Sequence, residues 1–448
     1  MKREIFALAA LLVGGVGGVQ IWVAAGLTAT LGILSIFVWL FAAALMAIIA
    51  LCLLRCMIFY PRVSGNYAYV RAAFGHFYGF MTGWAMLWSE AIMFGILALA
   101  AVDFIGLFFK LSAVASIGLK AGFIVLVTAL TLMDGRKTPA IWPLIKVLML
   151  FGFIGMAIAF VTTRPEMLSA QWTSNWMEIL PALAIAMWAF SGFEITPFLR
   201  NNYSAIDMRI VVAIAFSILA AIFISFNFLV QVAGQGVNTT TAAVTSTISN
   251  GIGLGIAGIA FAALAALLAF SSPSAVRTPQ ICNISRAMAA DGMLPNVVTK
   301  YKYGDYILWP IISQAIIAFI ASMTNEIPGL IYFSFTMLAI ALAALSMAYA
   351  RLRRYYMRTP YEKLTPAYSV GFVIIILLVI CSQLPATPML CALIIFLLGI
   401  PFYIHLSSKV ENAKLKELVM SEEYNRINCG LIMRSYLGSL LTKFVRWK

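Results

Sequence analysis

Apolar stretches long enough to cross a lipid bilayer recur along this chain from end to end. That repetition constrains the fold more than any single residue does. A helix rises about 1.5 Å per residue, so about twenty apolar residues span the hydrocarbon core. Twelve such spans are predicted, at 5–30, 34–58, 77–102, 117–133, 140–162, 179–199, 210–234, 252–276, 308–324, 327–350, 367–384 and 388–406. The 448 residues are 63% hydrophobic and 10% charged, where a soluble protein carries about a quarter charged residues. No soluble core buries that much apolar sequence. The predicted fold class is therefore an all-α integral membrane protein with 12 transmembrane helices. The expected organisation is a transporter domain over 1–408 and a cytoplasmic tail over 409–448.

A net charge of +14 invites a nucleic-acid reading, but the distribution argues against it. Lys2, Arg3, Arg55, Arg62, Arg71, Arg136, Lys137, Arg200, Arg209, Arg286, Lys300 and Arg351 fall in alternate loops, with Lys110, Lys120 and Arg164 on the other side. This is the asymmetry that orients helices in a membrane. It places both termini in the cytoplasm of a multi-pass inner- or plasma-membrane protein. The first apolar run is too long for a cleavable leader, and none is expected. In the tail, Ile432, Tyr436, Leu440 and Phe444 share one helical side and Arg434, Lys443 and Arg446 the other, the pattern of an amphipathic interfacial helix.

Two spans carry breaks. Span one holds Gly14, Gly15, Gly17 and Gly18; span six holds Trp188-Ala-Phe-Ser-Gly-Phe-Glu194 and then Pro197. Interrupted helices at matched positions mark the binding site of transporters built from inverted repeats, because unwound backbone presents N–H and C=O groups to a ligand. Glycines also permit close helix packing, which is the competing reading for span one.

Ionisable residues inside a membrane are costly and mark function by default. Glu90 lies mid-span and shares a face with Met86 and Phe94 at intervals of four. It either holds a cationic group or proton, or pairs with Lys146 or another base. Lys146, in span five, either cycles its proton as a coupling group or is paired or snorkelling. Glu194 is placed to cap the second half of the broken span six. Arg277, at or near the end of span eight, is expected to snorkel to headgroups, with a pathway role as the alternative.

The chain resembles the amino acid–polyamine–organocation transporters, most of all their basic amino acid and polyamine antiporters, such as the arginine–agmatine and putrescine–ornithine exchangers. Tyr60-Pro-Arg-Val-Ser-Gly-Asn-Tyr-Ala-Tyr69 is similar to the family's P-x-x-G-G-x-Y-x-Y. Trp188 to Glu194 is similar to W-x-F-x-G-x-E, and Ser285 to Pro295 to A-x-D-G-x-x-P. The likeness runs from span one to about Pro295 and weakens beyond. It implies a leucine-transporter-like fold, two inverted five-helix repeats plus two extra helices, with alternating access around the two breaks. It also implies that Trp188 covers the substrate as an outer gate, that Ser191 lies beside it, and that Lys146 stands in for a sodium ion. The chain departs from the pattern at Gly18-Val19-Gln20, where the antiporters have G-S-G. It departs also at Glu90, a small-residue position, at Arg277, an inner-gate aromatic position, and at Arg200-Asn-Asn-Tyr203, where an acid-x-N-P pattern is usual.

The expected function is secondary transport of an amino acid or polyamine, by exchange or proton coupling. The alternative is a transporter-fold sensor or accessory protein without transport. The expected substrate-binding residues are Val16, Gly18, Val19, Gln20, Met86, Ser89, Glu90, Phe94, Trp188, Ser191 and Gly192. Lys146, Glu194 and Arg277 are expected to couple or gate. Neither cofactor nor metal is expected, because the six cysteines are scattered and only His76 and His405 supply imidazoles. That same scarcity argues against an enzyme, and no phosphate-binding loop suggests an ATP-driven pump. The expected partners are the small substrate and membrane lipids, with a homodimer compatible with the sequence and nucleic acid not expected.

Overall fold

The computed structural model describes residues 2–59, 65–106, 109–134, 176–197, 206–233, 273–295, 297–303, 306–356 and 360–420. The spans expected at 140–162 and over nearly all of 252–276 lie outside these residues, as do Lys146 and the expected amphipathic helix of the tail. Helices are described within each of the other expected spans, those at 5–30 and 179–199 being interrupted.

In chain order the helices are α1 (Lys2–Val16), α2 (Val19–Thr28), α3 (Leu34–Phe59), α4 (Gly65–Phe74), α5 (His76–Gly106), α6 (Ala113–Asp134) and α7 (Ile179–Ala189). They continue with α8 (Met208–Ala233), α9 (Pro273–Ala290), the single turn α10 (Val297–Lys300), α11 (Leu308–Ser322), α12 (Ile327–Tyr356), α13 (Pro360–Ser382) and α14 (Ala386–Met420). The only strands among the described residues form a two-residue antiparallel ladder, Lys302 opposite Ile307 and Tyr303 opposite Tyr306. Among the described residues six helical stretches are long and apolar enough to cross a bilayer, including Leu34–Met57, His76–Asp103 and Ile327–Arg353. This is a multi-pass membrane protein.

Residue contacts divide the chain into Met1–Gly399 and Ile400–Lys448. In the second unit the described residues continue α14, with Pro401 inside it, to Met420. The first unit holds the bundle. Its centre is α5, flanked by α12, α11 and α4 along much of its length. Close approach there depends on small residues. A Cβ built on Gly95 would lie 2.9 Å from the Ala318 carbonyl oxygen of α11 and 3.0 Å from Ala321 Cβ. One on Gly83 would lie 2.8 Å from Met288 Sδ of α9. Backbones pack closely only where such side chains are missing. The outer face is apolar too: Phe37, Leu51, Ile375, Leu378 and Ile394 are all exposed, as expected of helices whose solvent is lipid.

Buried polar groups tie segments at one end of the bundle. Asn227 of α8 donates to Thr28 Oγ1 (3.0 Å) and to the Ala25 carbonyl (3.3 Å) on α2. Ser35 of α3 donates to Asn227 Oδ1 (2.5 Å), and Trp39 Nε1 donates to Thr28 Oγ1 (3.0 Å). Gln231 Nε2 donates to Asn227 Oδ1 (2.6 Å) and to Ser35 Oγ. At the opposite end, Asp291 accepts from Tyr67 Oη (2.6 Å) and pairs with Arg71 Nη1 (2.9 Å). The first and third sequence patterns of the family likeness meet in this cluster, supplying Tyr67 and Asp291.

Candidate functional site

Both expected breaks are present. Between α1 and α2 the chain turns through Gly17 and Gly18, with the Gly18 N–H bonded to the Val16 carbonyl (2.8 Å) instead of one four residues back. After α7 the chain turns through Phe190, Ser191 and Gly192 into a single 3₁₀ turn, Phe193–Ile195. Gly192 has φ +118°, a backbone that L side chains rarely adopt. A Cβ there would also lie 3.0 Å from Val16 Cγ2, so the two breaks meet directly. Behind them Phe190 is held edge-on to Trp39 (5.9 Å between centroids) and Phe223 (4.9 Å) and stacked on Phe216 (5.2 Å). That packing anchors the start of the turn in the apolar core.

Between the breaks lies a buried ion pair. Arg277 Nη1 of α9 donates to both oxygens of Glu90 on α5, at 2.8 and 3.0 Å. Its Nη2 donates to the Ser191 carbonyl (3.0 Å) and hydroxyl (3.1 Å) in the second break. With its amide oriented so that the nitrogen donates to the Val16 carbonyl (3.0 Å), Gln20 accepts from the same Nη2. One guanidinium therefore joins both broken segments, α5 and α9. Its Nε has no partner among the described residues. Arg277 was expected to snorkel, and the structure corrects this: the residue is 2% exposed. The helix does not stop at the last apolar residue but runs on to Ala290. Glu90 neutralises the charge where it lies, so the side chain need not reach for water.

A second polar cluster adjoins the pair. Ser89 and Ser334 of α12 face each other with hydroxyls 3.0 Å apart, each also bonded to the other's carbonyl (3.0 and 3.1 Å). Trp188 Nε1 donates to Ser334 Oγ (3.2 Å), and the indole is 1% exposed. Gln314 of α11 donates to the Glu90 carbonyl (3.4 Å). Glu194 accepts from the Gly192 N–H (2.6 Å) at the start of the 3₁₀ turn and is 6% exposed. Further toward the Asp291 end is a cavity of about 20 Å³ whose lining includes Met86, Glu194, Asn66 and Gln280. It has room for about one water. Neither amide side chain has a partner among the described residues.

The structure thus brings Val16, Gln20, Glu90, Ser191, Gly192 and Arg277 into one contact group, with Ser89 and Trp188 beside it. Met86 and Glu194 line the small cavity. Phe94 packs into the apolar core. Gly18 lies in the first break and Val19 begins α2, its side chain outside the described residues. Sequence reasoning missed Ser334, Gln314, Asn66 and Gln280. The trace of Ser334 is a serine inside an otherwise apolar run, a pattern equally typical of helix packing. Among the described residues no three His, Cys, Asp or Glu side chains gather as a metal site would require.

The amino acid permease family model matches residues 4–413, nearly the whole chain. The chain belongs to the amino acid permease family. An uncharacterised amino acid permease of Bacillus subtilis (strain 168), YecA, is 27% identical over 252 residues, which are 54% of this chain and 59% of that protein. The match thus spans about three fifths of the relative's length. A solved structure of a Na⁺-coupled sialic acid symporter, substrate-bound and outward-open, superposes with a TM-score of 0.48 at 14% identity, over 85% of this chain and 90% of that one. Within this permease the family pattern from Trp188 to Glu194 is the second break itself. Its Gly192 is the position where the backbone requires glycine.

Proposed function

We propose that this chain is a secondary transporter that carries an amino acid or polyamine across the cytoplasmic membrane by alternating access, through exchange or proton coupling. The single observation that carries the reading is the Glu90–Arg277 pair lodged where two helix breaks meet. Charged groups are stable there only with complements, and both complements sit on separate helices. A ligand bearing an ammonium and a carboxylate replaces each partner for the other. A polyamine satisfies Glu90 alone and leaves a buried guanidinium unpaired, which costs about 3–5 kcal/mol. The pair therefore favours the amino acid over the polyamine.

The same reading takes the fold as two inverted five-helix repeats plus two helices, with both termini cytoplasmic. The Tyr67–Asp291–Arg71 cluster then closes the cytoplasmic side. Lys146, outside the described residues, keeps its assignment as the coupling group.

Uptake into proteoliposomes tests this. Arginine, lysine, ornithine, putrescine, glutamate and neutral amino acids would be supplied with and without internal counter-substrate and an inward proton gradient. Zwitterions are expected to be accepted, and Glu90→Gln and Arg277→Gln each to abolish their uptake. Putrescine uptake with no amino acid uptake would keep the transporter and overturn the amino acid assignment. Silence across the panel from folded protein would favour the non-transporting sensor.

A further inference from the structure

A second cavity, unrelated to the breaks, opens on the outer face of the bundle. It measures about 630 Å³ and runs between α5, α12, α13 and α14, from Phe74 and Tyr78 past Ala339 and Ala343 to Leu378. Ligand pockets usually measure about 300–1,000 Å³. Small residues hollow it out: Ala339 and Ala343 are one turn apart on α12, with Met347 one turn further. Its rim faces the membrane, since Tyr78 is 53% and Leu378 66% exposed.

The wall is almost wholly apolar. Of its three hydroxyls, those of Thr82 and Thr336 donate to the carbonyl four residues back, of Tyr78 and Tyr332, both at 2.8 Å, and the third is the Tyr78 phenol at the exposed rim. A polar ligand finds few partners along it, whereas a hydrocarbon chain loses nothing. The mouth differs. One turn beyond Met347, Arg351 is exposed and lies over the ring of Phe74, 5.2 Å from its centroid. Arg351 makes no ion pair among the described residues, while nearby Arg71 is committed to Asp291. Arg351 stands near the end of the span Ile327–Arg353, the depth of lipid phosphates. A long apolar groove ending in an uncompensated cation at that depth is complementary to a molecule with an acyl chain and a negative head.

We infer that this groove binds an anionic glycerophospholipid, its acyl chain along Ala339 and Ala343 and its phosphate on Arg351. The exposed arginine at the mouth favours the lipid over a second copy of this chain, because the lipid carries its own anion at the end of its acyl chains.

The test uses full-length protein in detergent with equimolar phosphatidylglycerol and phosphatidylcholine of identical chains, followed by native mass spectrometry. One phosphatidylglycerol is expected to remain bound in preference to phosphatidylcholine. Arg351→Gln, an exposed change that removes the charge over Phe74, is expected to reduce that preference about fivefold, the usual effect of one arginine near an anionic surface. Ala343→Phe is expected to displace lipids of both kinds. Equal retention of the two lipids by the unchanged protein overturns the inference, as does undiminished preference in Arg351→Gln. A lipid-free dimer that Ala343→Phe dissociates to monomers would assign the groove to a second copy and overturn it as well.

Discussion

Replacing Glu90 by leucine while keeping Arg277 would strand a guanidinium that is 2% exposed. It loses both carboxylate contacts, at 2.8 and 3.0 Å. It keeps only the Ser191 oxygens and Gln20, which carry partial charges. Breaking a buried pair from one side costs about 3–5 kcal/mol, roughly a 150- to 5,000-fold change in the folding constant. Arg277→Met strands the carboxylate and costs a similar amount. The double variant Glu90→Leu/Arg277→Met leaves no charge behind. Its remaining cost is the Ser191 and Gln20 oxygens deprived of their donor, at about 1–3 kcal/mol for a buried acceptor left unsatisfied. The double variant is therefore expected to be more stable than either single one. The assay is reversible unfolding by sodium dodecyl sulfate in mixed micelles, with the slope against denaturant checked for constancy across the cycle. Transport should be lost in all three variants, so stability and activity part company in the double. A double variant destabilised by the sum of the singles would refute the reasoning, because it would show the two side chains to be energetically independent.

Gly192→Ala forces a side chain onto φ +118° and within 3.0 Å of Val16 Cγ2; a stability loss of about 1–3 kcal/mol is expected in the same unfolding assay, with reduced uptake. Gly95→Ala gains about 0.5–1 kcal/mol of helix preference. It also drives a Cβ to 2.9 Å from the Ala318 carbonyl, costing about 1–3 kcal/mol, so net destabilisation is expected and a more stable protein would contradict the packing described. Trp188→Phe removes the bond to Ser334 Oγ, which keeps Ser89, and leaves a small cavity in a fully buried site, so it should cost about 1–3 kcal/mol, against about 3–5 for Trp188→Ala. Tyr67→Phe removes a bond to the charged Asp291 (2.6 Å), worth about 1.5–3 kcal/mol. Faster labelling by a membrane-impermeant maleimide of a cysteine placed at Asn283, which also lines the small cavity beside Glu194, is the expected readout.

The helices were legible because apolar length is written directly into sequence: α3, α5 and α12 fall where the runs fall. The breaks were legible for a similar reason, since Gly17, Gly18 and Gly192 are local punctuation. Partnership was not. Glu90 and Arg277 are 187 positions apart, and no periodicity fixes the rotation of one helix relative to another. Lys146 and an unnamed base were both open as partners for Glu90. Hydropathy also ended span eight one residue before Arg277, because it measures affinity for lipid and α9 continues as a polar helix inside protein. Lys120 shows the same blindness. It counts as a loop base in the topology pattern, yet it is 2% exposed, donating to the Ser322 carbonyl (3.0 Å) at the end of α11 and to Asn325 Oδ1.

The Thr28–Ser35–Trp39–Asn227–Gln231 network has a mechanical meaning. Its bonds cross from α2 to α3 and from both to α8. In an apolar surrounding no water waits to replace a broken one. Under the alternating access proposed above, the half-helix after the first break would turn as part of a three-legged frame and not as a free door. Spin labels on α2 and α8 should hold a constant separation through the whole cycle, while either one measured against α5 changes.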